Sequence, residues 1–262
     1  MFDYHMHSRV SYDAESEPMQ MALAARAAGL REICFTDHMD YSQKIPHGDI
    51  SFTPEQYRGA YGGLSLPGLT IRHGIELGLT PWNKQEVARD LAALPYDFVI
   101  GSIHHVDELD IYFPEFWLDK TPREAERRYF ETMLDCVRVH DSFDVLGHLT
   151  YVSKSPSNPA PRVIPLEDYR DIVEEILRVL VRKGKGMEIN TSGLDRIGDF
   201  FPGAEYLRLF RELGGEIVTV GSDAHAPGPV GRGIREAYQI MQDCGFRYAA
   251  VYHERKPDMI RL

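Results

Sequence analysis

Residues 97–104 read Asp97-Phe98-Val99-Ile100-Gly101-Ser102-Ile103-His104. A short apolar run with β-branched and aromatic side chains is a strand signal, and this one closes on a histidine. Upstream, residues 69–77 (LTIRHGIEL) read as another strand, which carries Gly74-Ile75-Glu76 near its end. The segment between them, about 83–93, has a helical pattern. Strand, helix and strand at that spacing form a parallel crossover unit.

The same alternation extends in both directions. Toward the N-terminus, residues 2–5 read as a brief strand, about 17–28 as a helix stopped by Gly29, and 32–35 as a strand. A loop with Pro46, Gly48 and Pro54 follows. Toward the C-terminus come a helix over 122–139, a strand over 143–147 and a helix over 165–183. Strands over 186–189, 216–220 and 248–252 then alternate with helices over 202–213 and 230–243. The proline-rich stretch 155–165 reads as a loop inside the domain. Seven or eight strands alternating with helices predict an α/β fold with a parallel sheet. The 262 residues suit one closed, TIM-barrel-like (β/α) barrel of roughly 250 residues. No Gly-x-Gly-x-x-Gly follows the first strand, which argues against a dinucleotide-binding sheet.

Composition narrows the function. Hydrophobic residues are 43% and charged residues 26%, which is globular usage, and the formal charge of -11 argues against stable nucleic-acid binding. No apolar run approaches the ~20 residues of a spanning helix, so no membrane partner is expected. The start, Met1-Phe2-Asp3-Tyr4-His5, carries no secretion signal, and Cys34, Cys136 and Cys244 lack disulfide or metal spacing. A cytoplasmic protein with reduced core cysteines is expected.

The informative feature is the position of the histidines, 11 in all. In a parallel barrel the strand ends share one rim, where chemistry is located. His5 and His7 end the first strand, two apart and so on one face. Thr36-Asp37-His38 ends the second and Glu76 the third. Ser102-Ile103-His104 ends the fourth, Gly147-His148 the fifth, and Gly221-Ser222-Asp223-Ala224-His225 follows the strand over 216–220. Asp13 lies in the first loop, within reach of them. Any one of these motifs has an ordinary reading as a turn, a cap or a local hydrogen-bonded pair. Jointly they do not, because so many buried imidazoles and carboxylates without cations would cost several kcal/mol. Divalent metals remove that cost. His73 faces the opposite side of its strand from Glu76. His105 points away from His104, although a rim residue can still touch a substrate. His47, His140 and His253 have no assigned role.

With these motifs in this order, the sequence resembles the polymerase-and-histidinol-phosphatase (PHP) superfamily. Within it the chain is most similar to the histidinol-phosphatase branch, through Glu188-Ile189-Asn190-Thr191-Ser192-Gly193-Leu194. The resemblance implies a distorted (β/α)7 barrel as one domain over residues 1–262, with three divalent metal ions (Zn, Mn or Fe). One ion would take His5, His7, Glu76 and Asp223. A second would share Glu76 and add His104 and His148. A third would take Asp13, His38 and His225, with Asp37 orienting a ligand.

The implied activity is phosphomonoester hydrolysis of a small phosphorylated substrate, L-histidinol phosphate in histidine biosynthesis. The alternative is a PHP-type phosphoesterase for another small phosphate or a nucleotide. Arg196, Lys154 and Arg162 are the basic candidates for holding phosphate, with His105 at the rim. Asp223 and His225 are the candidates for protonating the leaving alkoxide. The chain departs from the branch at Thr150, where an acid is usual, and at Asp195 beside Arg196.

Overall fold

A computed structural model of the chain describes residues 1–262. Its strands are β1 (Phe2–Asp3), β2 (Glu32–Phe35), β3 (His38–Met39), β4 (Thr70–Gly78), β5 (Phe98–Ser102), β6 (His105–Val106), β7 (Leu109–Asp110), β8 (Val145–Leu146), β9 (Gly186–Asn190), β10 (Val218–Gly221), β11 (Tyr248–His253) and β12 (Lys256–Arg261). The helices are α1 (Pro18–Ala27), α2 (Pro54–Tyr61), α3 (Lys84–Leu91), α4 (Pro114–Trp117), α5 (Pro122–Val139), α6 (Arg170–Arg182), α7 (Ala204–Glu212) and α8 (Ile234–Asp243).

The main sheet is parallel and ordered β1-β2-β4-β5-β8-β9-β10, with β3 beside the end of β4. Its two edges close on each other through the backbone. Tyr4 N–H donates to Val220 O at 2.9 Å, Asp223 N–H to His5 O at 2.7 Å and His7 N–H to Ala224 O at 2.9 Å. The result is a distorted (β/α)7 barrel. The first strand is shorter than the expected 2–5: register with β2 covers Phe2 and Asp3, and beyond them single bonds tie Met6 O to Thr36 N–H on one side and residues 4–7 to the end of β10 on the other. The fifth narrows from 143–147 to Val145–Leu146.

Alternation along the strands separates two environments. On β4 and β5 the side chains of Ile75, Leu77 and Val99 join the large core under the helices, while Phe98 and Ile100 join a smaller inner cluster with Tyr4, Cys34 and Val145. The helices supply the outer cover by apolar spacing. α5 starts on a capping box, in which Thr121 Oγ1 accepts Glu124 N–H and Glu124 accepts Thr121 N–H. It buries Ala125, Tyr129, Phe130, Met133 and Val137 on one face. All three cysteines are free and buried. No helix is long and apolar enough to cross a membrane.

The C-terminal strand differs from the sequence expectation. Residues 248–252 do not extend the parallel sheet; β11 pairs antiparallel with β12. The two join through Glu254 and Arg255, both at positive φ (49° and 64°), a two-residue turn that reverses the chain at once. Ala250, Val251 and Tyr252 of β11 pack on the inner cluster, so the hairpin plugs the mouth opposite the histidines. Three short elements also fall where loops were expected: α2, α4 and the β6–β7 hairpin.

Candidate metal centre

Each strand end delivers a side chain to one point. Glu76 is the hub, fully buried on β4. Its Oε2 lies 3.2 Å from His5 Nε2, 3.6 Å from His7 Nε2 and 3.0 Å from His38 Nδ1. Its Oε1 lies 2.8 Å from His148 Nε2 and 3.4 Å from His104 Nε2. Asp223 Oδ1 stands 3.3 Å from His7 Nε2 and 3.7 Å from His5 Nε2. Asp13 Oδ2 stands 3.2 Å from His225 Nε2 and 3.5 Å from His38 Nε2, and those two nitrogens are 3.4 Å apart. Asp223 reaches its position at φ 54°, left-handed backbone that Asp tolerates better than most residues.

The donor atoms fit divalent ions. Ligands on a tetrahedral ion with bonds of 2.0–2.1 Å stand about 3.4 Å from one another, which is the spacing of the set around His5 and His7. His5 Nε2, His7 Nε2 and Glu76 Oε2 are buried and lack hydrogen-bond partners, yet they point at a common centre. Buried polar atoms are seldom left unpaired, and a cation is the partner that several lone pairs can share. The histidine, aspartate and glutamate clusters here are groups that could hold metal.

The electrostatics point the same way. Burial pushes the Glu76 carboxyl up, but His5, His38 and His104 outweigh it and hold the pKa well below the usual range. Burial opposes charge on His104 as well, yet Asp40 and Glu76 raise it to about 10. Burial, and then repulsion from His225 and His38, drives His7 well below its ordinary value. Carboxylates this dependent on imidazolium protons are sites where metal ions replace protons.

A further ring of contacts orients the ligands. His5 Nδ1 meets Glu188 Oε1 at 2.6 Å, His104 Nδ1 meets Asp40 Oδ1 at 2.8 Å and His7 Nδ1 meets Ser11 Oγ at 3.0 Å. Each contact fixes a ring with its other nitrogen toward the centre. Asp37 stands one step farther out: it accepts from Ser11 Oγ, Ser8 N–H and Tyr61 and touches no ligand imidazole. The sequence reading gave no orienting role to Glu188, quoted there only within a motif, and did not single out Asp40 or Ser11. A signal existed for two of them, since Asp40 is two residues beyond His38 and Glu188 is the lone acid in an apolar strand. Packing is tight: a Cβ on Gly221 would lie 2.2 Å from His5 Cβ and 2.6 Å from Glu188 Oε1.

The centre opens into a cavity of about 400 Å³ lined by Asp13, His38, His104, His148, Asp223, His225, Lys154 and an aromatic wall. Lys154 Nζ donates to Asp223 Oδ2 and Ser192 Oγ, both at 2.9 Å. The other proposed phosphate contacts lie outside this lining. Arg162 is held by Glu126 at 2.8 Å and Asp168 at 3.0 Å, because the buried glutamate needs a cation. Arg196 donates to Ser155 O at 3.1 Å. His105 lines a separate cavity of about 200 Å³ beside Thr80 and Thr132. His73 packs edge-on against Tyr61, with ring centroids 5.4 Å apart.

Comparison with known proteins agrees with the geometry. The PHP domain matches residues 3–192. The chain is 33% identical over 262 residues to the histidinol-phosphatase of Lactococcus lactis subsp. lactis, covering 98% of this chain and 96% of that one. It is 27% identical over 256 residues to the probable histidinol-phosphatase of Clostridium acetobutylicum, covering 98% of each. Among solved structures, histidinol phosphate phosphatase from Lactococcus lactis, complexed with zinc, L-histidinol and phosphate, superposes with a TM-score of 0.89. It is 33% identical, and the match covers 98% of both chains.

Proposed function

This chain belongs to the PHP domain family, and on that premise we propose that it is a metal-dependent phosphatase that hydrolyses L-histidinol phosphate to L-histidinol and phosphate, a step of histidine biosynthesis. The observation that carries this reading is the convergence of His5 Nε2, His7 Nε2 and Glu76 Oε2, buried and unpartnered, behind the His38, His104, His148 and Asp223 side chains that line the cavity. The full-length likeness to a histidinol-phosphatase supports the choice of substrate.

We assign His5, His7, Glu76 and Asp223 to one ion, Glu76, His104 and His148 to a second, and Asp13, His38 and His225 to a third. Zinc is the metal of the Lactococcus lactis structure, and a nitrogen-and-oxygen donor set also suits manganese or iron. Bound there, divalent ions supply positive charge to the phosphoryl oxygens and ease deprotonation of an attacking water. Three of them would set six positive charges beside the ligating carboxylates of Asp13, Glu76 and Asp223, and at the cavity they would attract a phosphate dianion into a protein whose overall charge is -11.

The side chains do the positioning. Glu76, shared by both oxygens, keeps two donor sets in register. Lys154 has three N–H donors and spends two on Asp223 and Ser192; the third is left to serve a phosphoryl oxygen of the substrate. His225 is partly exposed at the cavity and has Nδ1 3.0 Å from Asp223 O. Its place suits His225, or Asp223 beside it, once released from metal, to pass the proton given up by the attacking water to the leaving alkoxide.

The test is phosphate release from L-histidinol phosphate, compared with a panel of other phosphomonoesters and a nucleotide, by protein prepared without chelator. A kcat/KM of order 10⁴ M⁻¹s⁻¹ or more, well above the panel, is expected. Weak and even turnover across the panel removes the substrate assignment, and no turnover by metal-loaded protein removes the enzyme reading.

A further inference from the structure

Between β10 and α8 the chain runs through Asp223 and His225, assigned above to different ions, and then through Pro227-Gly228-Pro229. One carboxylate brackets this loop. Asp3 of β1 is fully buried. Its Oδ1 accepts Ser222 N–H at 2.8 Å, and its Oδ2 accepts Gly231 N–H at 3.0 Å. Oδ1 also lies 3.4 Å from His5 N–H. Burying a carboxylate is costly unless donors satisfy it, and here backbone N–H groups do so from three separate segments. Asp3 neither lines the cavity nor belongs to the groups that could hold metal.

The loop needs such an anchor. Asp223 stands at φ 54°, and left-handed backbone at a residue with a Cβ persists only where its surroundings fix it. Two neighbouring bonds do so: Ser222 N–H is pinned by Asp3, and Asp223 N–H by His5 O at 2.7 Å. The main chain of Asp3 is in register with Ile33 of β2, so its side chain reaches across the seam where β1 meets β10. Farther along, Ala226, Pro227 and Gly228 are exposed. The far limb of the loop is therefore held from within, where Gly231 meets Asp3.

We propose that Asp3 is a positioning residue of the metal centre: clamping Ser222 and Gly231 with its two oxygens, it fixes the loop that presents Asp223 and His225. It acts through the backbone and touches neither metal nor substrate. This rests on the metal-centre reading above and names what holds two of its ligands in place.

The experiment compares wild type with Asp3→Asn and Asp3→Ala. Metal affinity is read by competition with a chromophoric chelator, kcat for L-histidinol phosphate at saturating metal, and hydrogen exchange over residues 222–231. The amide of Asp3→Asn keeps one acceptor oxygen and turns an N–H toward the other backbone donor, so one end of the loop is released. Metal affinity is expected to fall about tenfold, kcat to fall at least tenfold, and the loop amides to exchange faster; Asp3→Ala should lose more. Arg255→Met, a change at the opposite mouth of the barrel, is the control for general loss of stability and is expected to keep wild-type metal affinity and kcat. Wild-type values in Asp3→Asn overturn the proposal, as does an equal loss of both in Arg255→Met. If neither Asp3 variant folds, wild type decides. Its Ser222 and Gly231 amides are expected to exchange as slowly as the barrel strands even after EDTA treatment, and fast exchange there overturns the clamp. A wild type that binds no metal removes the metal-centre reading and the proposal with it, whereas affinity and exchange decide the proposal even where L-histidinol phosphate is not turned over.

Discussion

Glu188 Oε1 stands 2.6 Å from Nδ1 of His5, whose other ring nitrogen lies 3.2 Å from Glu76 Oε2. The carboxylate holds the proton of the imidazole on Nδ1 and leaves the Nε2 lone pair for the centre. Through Oε2 the same acid accepts the backbone N–H of His148 at 2.8 Å. One side chain on β9 thus steadies two histidines, one beyond the adjacent β8 and one beyond β1 on the far side of β10.

Replacing that acid should loosen metal without dismantling the barrel. Glu188→Ala is expected to lower metal affinity about 10–100-fold, read by competition with a chromophoric chelator. Glu188→Gln, whose carbonyl can still accept from His5 Nδ1–H, should lose less. Equal affinity in Glu188→Ala and wild type would show that His5 needs no such partner.

Glu76 and Asp13 make a contrasting pair. Glu76 is fully buried and both of its oxygens face histidines, whereas Asp13 meets two histidines through one oxygen and is more than a third exposed. Glu76→Gln is therefore expected to abolish turnover and to lose more metal than Asp13→Ala. Elemental analysis of the purified variants checks this, and unchanged metal content and activity in Glu76→Gln would remove the shared-ligand assignment.

The convergence of these residues was legible because a parallel barrel brings every strand's C-terminal end to one rim, whatever the intervening loops do. Thus His5, Glu76, His104 and His148, far apart in the chain, could be placed together from strand ends alone. The orienting partners were harder, since pairing Glu188 with His5 requires knowing that β10 lies between β9 and β1. The run 248–252 showed that a strand was coming but not which way its neighbour ran; the Glu254-Arg255 turn has no glycine or asparagine to announce a hairpin. Arg162 and Arg196 illustrate a different limit. Long flexible side chains go to the nearest unmet acid or carbonyl, and for Arg162 that is Glu126, buried on a helix far away in sequence.

If unpartnered donors are completed by metal, removing metal should cost stability as well as activity. A ligand present at 1,000 times its Kd contributes about 4 kcal/mol to folding. For a chain of this size that corresponds to a Tm change on the order of 10 °C. Incubation with EDTA is expected to lower Tm by that order, and added zinc or manganese to restore it, as followed by differential scanning fluorimetry. An unchanged Tm in protein shown to have lost its metal would mean that the centre is held by the barrel alone.

At the opposite mouth, Arg255 ties the C-terminal hairpin to the barrel. It reaches Asp144 through two contacts of 2.6 and 2.9 Å and donates to Ser142 O at 2.5 Å. Asp144 also accepts Val99 N–H, and burial holds its carboxyl above the usual pKa although Arg255 pulls it down. Arg255→Met removes the lowering influence, so the folded-state pKa of Asp144 rises further while the unfolded value stays near 3.9. The folded protein then binds a proton that the unfolded chain releases, and stability falls as pH rises through that window. The variant is expected to lose about 2 kcal/mol at pH 7.5 and clearly less at pH 4.5, measured by urea unfolding of variant and wild type. A loss independent of pH would show that Arg255 acts through packing and its carbonyl bond, with no contribution from the charge of Asp144.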